Sequence, residues 1–264
     1  MPMITQLPEN IEKHINGAHY SIDSVGQSGS QVICFDDFVL KISDCDEESN
    51  NEYHMLRWLE NKLPVPRIIA FEQTDGKTYL LMSKADGEMS CGQNLINEPE
   101  KLIGLLCGGL HMLWDVDISD CPSDYSLDKK LILAEYRVNN NLCTTEDAEP
   151  QTYGRDGLKN PAELLLWLKE NKPDEHLVLS HGDYCLPNIF VKNHRVSGFI
   201  DLGRCGKADK YQDIALCYRS LKHNFGGKFG TVPIKYDCKD FFEILDIRPD
   251  WDKIRYYILL DELF

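Results

Sequence analysis

Along the first third of the chain, apolar and polar residues alternate with the two-residue period of half-buried strands. Segments 20–25, 31–35 and 38–42 carry this pattern, separated by the turn Gly26-Gln27-Ser28-Gly29-Ser30 and by Asp36-Asp37. Two more strands are expected at 67–71 and 78–82, around the Asp75-Gly76 turn, and strands joined by such tight turns form an antiparallel sheet. Two helices accompany them. Residues 1–20 suggest one, with Pro8 near its start and Ile11 and Ile15 on one face. Residues 50–61 suggest the other, with Tyr53, Met55, Leu56, Trp58 and Leu59 on a broad apolar side and Pro64 and Pro66 ending it.

Hydrophobicity drops over 83–87, which marks a linker and divides the chain into 1–84 and 85–264. After it the period becomes helical, with apolar residues three and four apart in 99–114, 126–140 and 161–171, and again in 211–222, 238–245 and 249–264. The polar stretch 139–160 is long for a structureless connector. It carries Glu146, Asp147, Glu149 and Asp156 against a lone Arg155 until Lys159, and reads as an acidic lid. Within the helical part, 189–192 alternates as a strand, 193–195 is polar and turn-forming, and 196–200 returns. The expected fold class is α+β: a small antiparallel-sheet lobe with one helix, then a larger, mainly helical lobe with a hairpin set into it.

That hairpin carries the candidate chemistry. An antiparallel pair brings the start of its first strand beside the end of its second, so Asn188 and Asp201 should meet at its open end, with Asp183 on the loop leading in. Hard oxygen donors at one mouth suit Mg²⁺, which binds through a few protein oxygens together with water and phosphate. Asp183 is either a third ligand or a group acting on a hydroxyl.

Composition narrows the partners. A net charge of −15 argues against nucleic acid, whose binding needs lysine and arginine to neutralise phosphates. The same charge attracts cations to any acidic cleft. Ten cysteines are scattered without a C-x-x-C pair, which points to reduced thiols and not to a disulfide scaffold or zinc site. Cys185 and Cys205 read as packing residues. No run of eighteen apolar residues occurs, so no membrane partner is expected and the cytoplasm is the expected location.

Two further residues fit a phosphate site. Lys41 lies on the third strand between Leu40 and Ile42, and Glu52, near the start of the next helix, is positioned to hold it. The backbone of the 26–30 turn could face phosphate oxygens, although no G-K-[ST] follows it and it is not a Walker loop.

Together these residues resemble the aminoglycoside 3′-phosphotransferases, antibiotic-resistance kinases with a protein-kinase-like fold. The resemblance rests on H-G-D-Y-C-L-P-N at 181–188, G-F-I-D-L-G-R at 198–204, D-I-A at 213–215 and L-D-E-L-F at 260–264, with K-L-P-V-P at 62–66 and D-I-S-D-C-P at 117–122. It implies transfer of the γ-phosphate of ATP to the 3′-hydroxyl of kanamycin- or neomycin-type antibiotics, with ATP and Mg²⁺ as cofactors. Asp183 would then orient and deprotonate the hydroxyl, Asn188 and Asp201 would hold Mg²⁺, and Lys41, paired with Glu52, would hold the α- and β-phosphates. Ser28 would touch phosphate. Arg204, Arg219, Glu262 and the carboxylate of Phe264 would line the antibiotic pocket.

The partner would be a polycationic aminoglycoside, and the protein a monomer or weak homodimer. Leu186, His223 and Asn224 stand where some relatives carry acids, which leaves the antibiotic spectrum open; His223 is expected to point to solvent. The alternative is a kinase for another small hydroxyl compound such as choline or a sugar. A protein kinase would need an activation segment between Asp201 and Asp213, where about ten residues leave little room.

Overall fold

The structure, a computed structural model, describes residues 7–15, 19–22, 30–146, 148–155 and 157–264. Ser28 and the rest of the 26–29 turn, along with Asp147 and Asp156 of the acidic stretch, lie outside the described residues.

Strands β1 (Tyr20–Ile22), β2 (Gln31–Phe35), β3 (Phe38–Asp44), β4 (Ile68–Thr74) and β5 (Lys77–Ser83) form an antiparallel sheet in the order β1-β2-β3-β5-β4. Its two faces are covered differently. Ile33, Phe35, Leu40, Ala70 and Leu81 pack on Ile11 and Ile15 of α1 (Glu9–Ile15). Leu80 and Met82 pack on the other side, with Met55, Leu56 and Leu59 of α2 (Glu47–Leu59), and join the main core there. Because side chains alternate along a strand, burying Leu40 on the α1 face turns Lys41 toward α2.

Helix α2 starts earlier than the apolar pattern indicated. Asp46 caps it by accepting from the Ser49 N–H at 2.8 Å, while Ser49 Oγ accepts from the Asp46 N–H at 3.0 Å. Serine thus fills the place usually held by Glu or Gln in a reciprocal cap. This early start puts Glu48, Asn51 and Glu52 in the first two turns.

The larger lobe is built from α3 (Gln93–Ile96), α4 (Pro99–Trp114), α5 (Leu127–Asn139), α6 (Pro161–Glu170), α7 (Lys210–Phe225), α8 (Asp240–Ile244) and α9 (Trp251–Asp261). Four short strands stand between α6 and α7: β7 (Leu177–Ser180), β8 (Ile189–Lys192), β9 (Arg195–Phe199) and β10 (Gly206–Asp209). β8 and β9 are the expected hairpin, and β6 (Glu88–Met89) adds a third strand to it. Asn193 and His194 turn the hairpin with φ of 50° and 61°, the paired left-handed geometry of a two-residue connection. The antiparallel pair β7–β10 and helix α3 had no counterpart in the sequence reading. One buried cluster runs from α2 and β5 through Leu106, Tyr184, Leu202 and Ile214 to Leu260, so a single core joins both lobes beside the hairpin mouth.

Candidate active site

Strand β7 ends at Ser180 and delivers the loop 181–188. Gly182 has φ of 86°, and a Cβ there would run into the carbonyl of Arg204, so only glycine fits the turn. The loop is held from several sides. Tyr184 Oη donates to the Leu106 carbonyl of α4 at 2.7 Å, and Ser220 Oγ of α7 accepts from the Leu186 N–H at 3.0 Å. Beyond one turn of 3-10 helix (Leu186–Asn188), the Ile200 N–H donates to the Asn188 carbonyl at 3.0 Å, closing the open end of the hairpin. Asn188 and Asp201 are thereby brought to one mouth. Asn188 Nδ2 donates to Asp183 Oδ2 at 2.9 Å and to the Asp183 carbonyl at 3.0 Å, which turns the amide oxygen away from Asp183.

Lys41 reaches this mouth from the sheet. Its Nζ lies 2.8 Å from Glu52 Oε2 and 2.7 Å from Asp201 Oδ1. Burial opposes the charge on Lys41, but the Glu52 and Asp201 carboxylates outweigh it and hold the ammonium well above the usual lysine range. The same attraction, working against burial, keeps Asp201 below the usual carboxylate range. Asp201 also has a left-handed backbone, φ 60°, and its side chain stays 41% exposed, so it can accept a further ligand.

The donors fit a hard divalent cation with a nucleotide. Among the described residues no group of three or more His, Cys, Asp or Glu is arranged to hold a metal. An Asp carboxylate and an Asn amide oxygen beside a fixed ammonium match a cation that completes its shell with water and phosphate.

The residues expected on the antibiotic side also come together. Asp261 accepts from Arg219 and lies 3.6 Å from Arg204, whose Nε bonds Glu48 of α2 at 3.0 Å. The Phe264 ring has Lys130 Nζ at 5.0 Å and the guanidinium carbons of Arg204 and Arg137 at 5.5 and 5.7 Å. Arg137 donates to the Leu263 carbonyl at 2.7 Å and to the main-chain oxygen of Phe264 at 2.8 Å. Glu262 accepts from the Glu149 N–H at 3.0 Å, and burial raises its carboxyl. The described part of the acidic stretch, expected as a lid, is tied at Leu142 by Arg137 and at Glu149 by Glu262. His223, expected in solvent, is only 18% exposed and lies 2.7 Å from Glu149 Oε1. Asn224 is buried and donates to the Ser220 carbonyl of its own helix, and the Leu186 side chain is fully buried, so neither is aimed at a ligand.

The phosphotransferase enzyme family model matches residues 21–257. An aminoglycoside 3′-phosphotransferase of Enterococcus faecalis is 45% identical over 91% of this chain and 87% of its own. The chain belongs to the aminoglycoside 3′-phosphotransferase family. The crystal structure of a type VIII aminoglycoside 3′-phosphotransferase, 26% identical, superimposes over 96% of both chains with a TM-score of 0.82. A Streptomyces rimosus aminoglycoside phosphotransferase in complex with ADP and streptomycin, 22% identical over 96% of both chains, shares the fold with a TM-score of 0.77. The two lobes are thus those of the kinase-like phosphotransferases, and the chain is an enzyme of that class.

Within this phosphotransferase several site residues escaped the sequence reading. Asp261 was visible only as part of L-D-E-L-F, yet it joins both arginines. Lys130 is 2% exposed with its ammonium near the Phe264 ring, and burial pushes it down to about 8. Asp213 accepts from Ser180 Oγ and from the His181 and Gly182 N–H groups at 2.9, 2.7 and 3.0 Å, anchoring the loop that carries Asp183. Asn51 donates to the carbonyls of Gly203 and Cys205, both at 2.9 Å, fixing the segment after Asp201 to α2. Cys205 is a packing group as expected, fully buried in the main core, and Cys185 is half-buried on the loop; burial raises both thiols well above the normal range. Among the described residues no disulfide joins any of the ten cysteines.

Asn51→Ala leaves the buried Cys205 carbonyl without its donor, and the Gly203 carbonyl with only the Tyr125 hydroxyl at 3.0 Å, and should cost about 1–3 kcal/mol in urea unfolding. A change below about 0.5 kcal/mol, the level of a neutral surface substitution, would mean that Asn51 does not hold this loop.

Proposed function

We propose that the chain transfers the γ-phosphate of ATP, with Mg²⁺, to the 3′-hydroxyl of kanamycin- or neomycin-type aminoglycosides, and so confers resistance to them. The carrying observation is the Asp183 carboxylate. It is fixed by Asn188 next to the Asp201–Lys41 pair, and it is close enough to Asp261, Arg204 and Arg219 to feel all three charges.

Phosphoryl transfer asks the protein mainly for position and charge. ATP would supply the electrophilic γ-phosphoryl group and leave as ADP, and a bound Mg²⁺ would neutralise charge on the phosphate oxygens. Asp183 accepts the hydrogen bond of the antibiotic hydroxyl and takes its proton as the bond forms. Asn188 and Asp201 would hold the cation, Lys41 would set its ammonium against the α- and β-phosphates, and Glu52 keeps Lys41 in line. Ser28 adds a phosphate contact.

Arg204, Arg219, Glu262 and Phe264 shape the antibiotic pocket, with the arginines orienting Asp261 so that carboxylates face a polycation. The net charge of −15 favours the approach of such a molecule. Residues 1–84 form the nucleotide lobe and 85–264 the antibiotic lobe, of a monomer or weak homodimer working in the cytoplasm. No helix among the described residues is long and apolar enough to cross a membrane. The relative complexed with ADP and streptomycin supports pairing a nucleotide with an aminoglycoside in this fold.

An assay coupled to ADP release, run with ATP, Mg²⁺ and in turn kanamycin, neomycin, choline and a control peptide, tests the reading. Turnover is expected with kanamycin and neomycin, and a product whose phosphorus signal on NMR couples to the carbon-bound 3′ proton. Turnover with choline or the peptide alone would replace the reading with a kinase of another class.

A further inference from the structure

The carboxylates on the antibiotic side are not equally available. Asp261 is engaged by both Arg204 and Arg219, which stay charged at any working pH. Glu262 accepts only a backbone N–H and has no ion-pair partner among the described residues. Glu149 is held by His223, one helical turn beyond Arg219 on α7. Histidine is the one partner of the three whose charge can leave near neutral pH.

The contact is built from both sides. His223 Nε2 lies 2.7 Å from Glu149 Oε1, with side-chain exposures of 18% and 28%. The Phe229 ring stands edge-on to the imidazole at 5.8 Å. Glu149 is fixed through its backbone, its N–H on Glu262 and its carbonyl accepting from the Thr152 N–H at 2.8 Å. Its carboxylate therefore cannot drift away with the loop; it either stays on His223 or takes another cation.

We propose that His223 is a proton-operated latch on Glu149 that sets how strongly the site takes a polycationic substrate. A protonated His223 keeps the carboxylate as an ion pair. A neutral His223 holds it only by a hydrogen bond and gives it up to a substrate ammonium, which then sits between Glu149 and Glu262. The inference rests on the aminoglycoside reading of the site.

The charges facing His223 are Glu149 from the stretch after α5, Lys228 from the segment after α7, and Arg219 on its own helix. Burial disfavours the imidazolium, Glu149 favours it, and Lys228 and Arg219 oppose it. The balance puts its titration below the ordinary histidine value. The latch therefore closes as pH falls below about 6.5, while substrate amines of ordinary basicity remain protonated. Glu262, raised by burial, also gains protons on acidification and adds a pH dependence of its own.

Calorimetric binding of kanamycin to the whole protein between pH 7.5 and 5.0 tests the latch without relying on turnover. For the parent protein the dissociation constant should rise about five-fold more over this range than for His223→Gln, the size of a partly shielded ion pair. Gln keeps a hydrogen-bond donor but cannot be charged. Glu149→Gln should bind more weakly at pH 7.5 and show the same flattened profile, because His223 then has no carboxylate to hold. Identical pH profiles in the parent and both variants would overturn the latch and leave the functional reading standing. No kanamycin binding at any pH, in any of the three, would overturn both.

Discussion

Asp183→Asn should lower kcat for kanamycin by about 10²–10⁴-fold, the range supplied by a positioned general base. Asparagine keeps the shape, so the loss would report the charge and proton affinity of the carboxylate and not a collapsed loop. Nucleotide binding should be retained, because Lys41, Glu52 and Asp201 make their contacts without Asp183. The pH profile gives a second readout. Burial, and then the negative charge of Asp261, raise the Asp183 carboxyl; Arg204 and Arg219 oppose this without cancelling it. As pH falls through that raised value the carboxyl takes a proton and can no longer accept one from the substrate. The acid limb of kcat should therefore lie above the ordinary carboxylate value of about 3.9, and the residual rate of Asp183→Asn should lack it. A variant with full turnover, or one with the parent's acid limb, would remove Asp183 from the proton transfer.

Features with a local period or a short loop were legible in the sequence. Strand alternation put Lys41 opposite Leu40, and the hairpin geometry required Asn188 and Asp201 to meet. Lys41 and Glu52 could be paired because a strand and the helix following it pack together. Groups that act across long separations were not legible. Asn51 reaches Gly203 and Cys205 from 152 and 154 residues away, and Asp213 reaches back over 30. Each reads as an ordinary polar position on its own helix, and only its burial, 8% exposed for Asn51 and none for Asp213, separates it from a solvated one. Strands β7 and β10, four residues each, were too short to impose a period beside the glycines at 182, 203 and 206. The start of α2 was missed for a chemical reason, since Ser49 stands in for the usual acidic or amide residue of the cap. His223 was assigned to solvent because its partner lies on a stretch with no periodic pattern at all.

The same long-range logic makes Asp213 the residue whose loss should damage the protein most. It is fully buried, and its two oxygens accept from Ser180 Oγ and from the His181 and Gly182 N–H groups. Gly182 must keep its left-handed φ beside the Arg204 carbonyl, and Asp183 follows directly, so the carboxylate fixes the backbone from which the proposed base projects. Asp213→Ala would leave the buried His181 N–H and Ser180 hydroxyl without their acceptor, at about 1–3 kcal/mol each, while the Gly182 N–H keeps Ser180 Oγ at 3.1 Å. A total loss of roughly 3–5 kcal/mol in urea unfolding is expected, comparable to breaking a buried charged network. Asp213→Asn should fall between the two proteins, because one amide oxygen can accept while the NH₂ group opposes the remaining donors. Measured at a low temperature where each variant is still folded, kcat should drop in the same order, with the KM for ATP changing less because Lys41 and Glu52 lie on β3 and α2 of the other lobe. A Asp213→Ala protein within about 1 kcal/mol of the parent and equally active would show that the backbone of residues 181–183 keeps its shape by itself, and that the three bonds to Asp213 only record it.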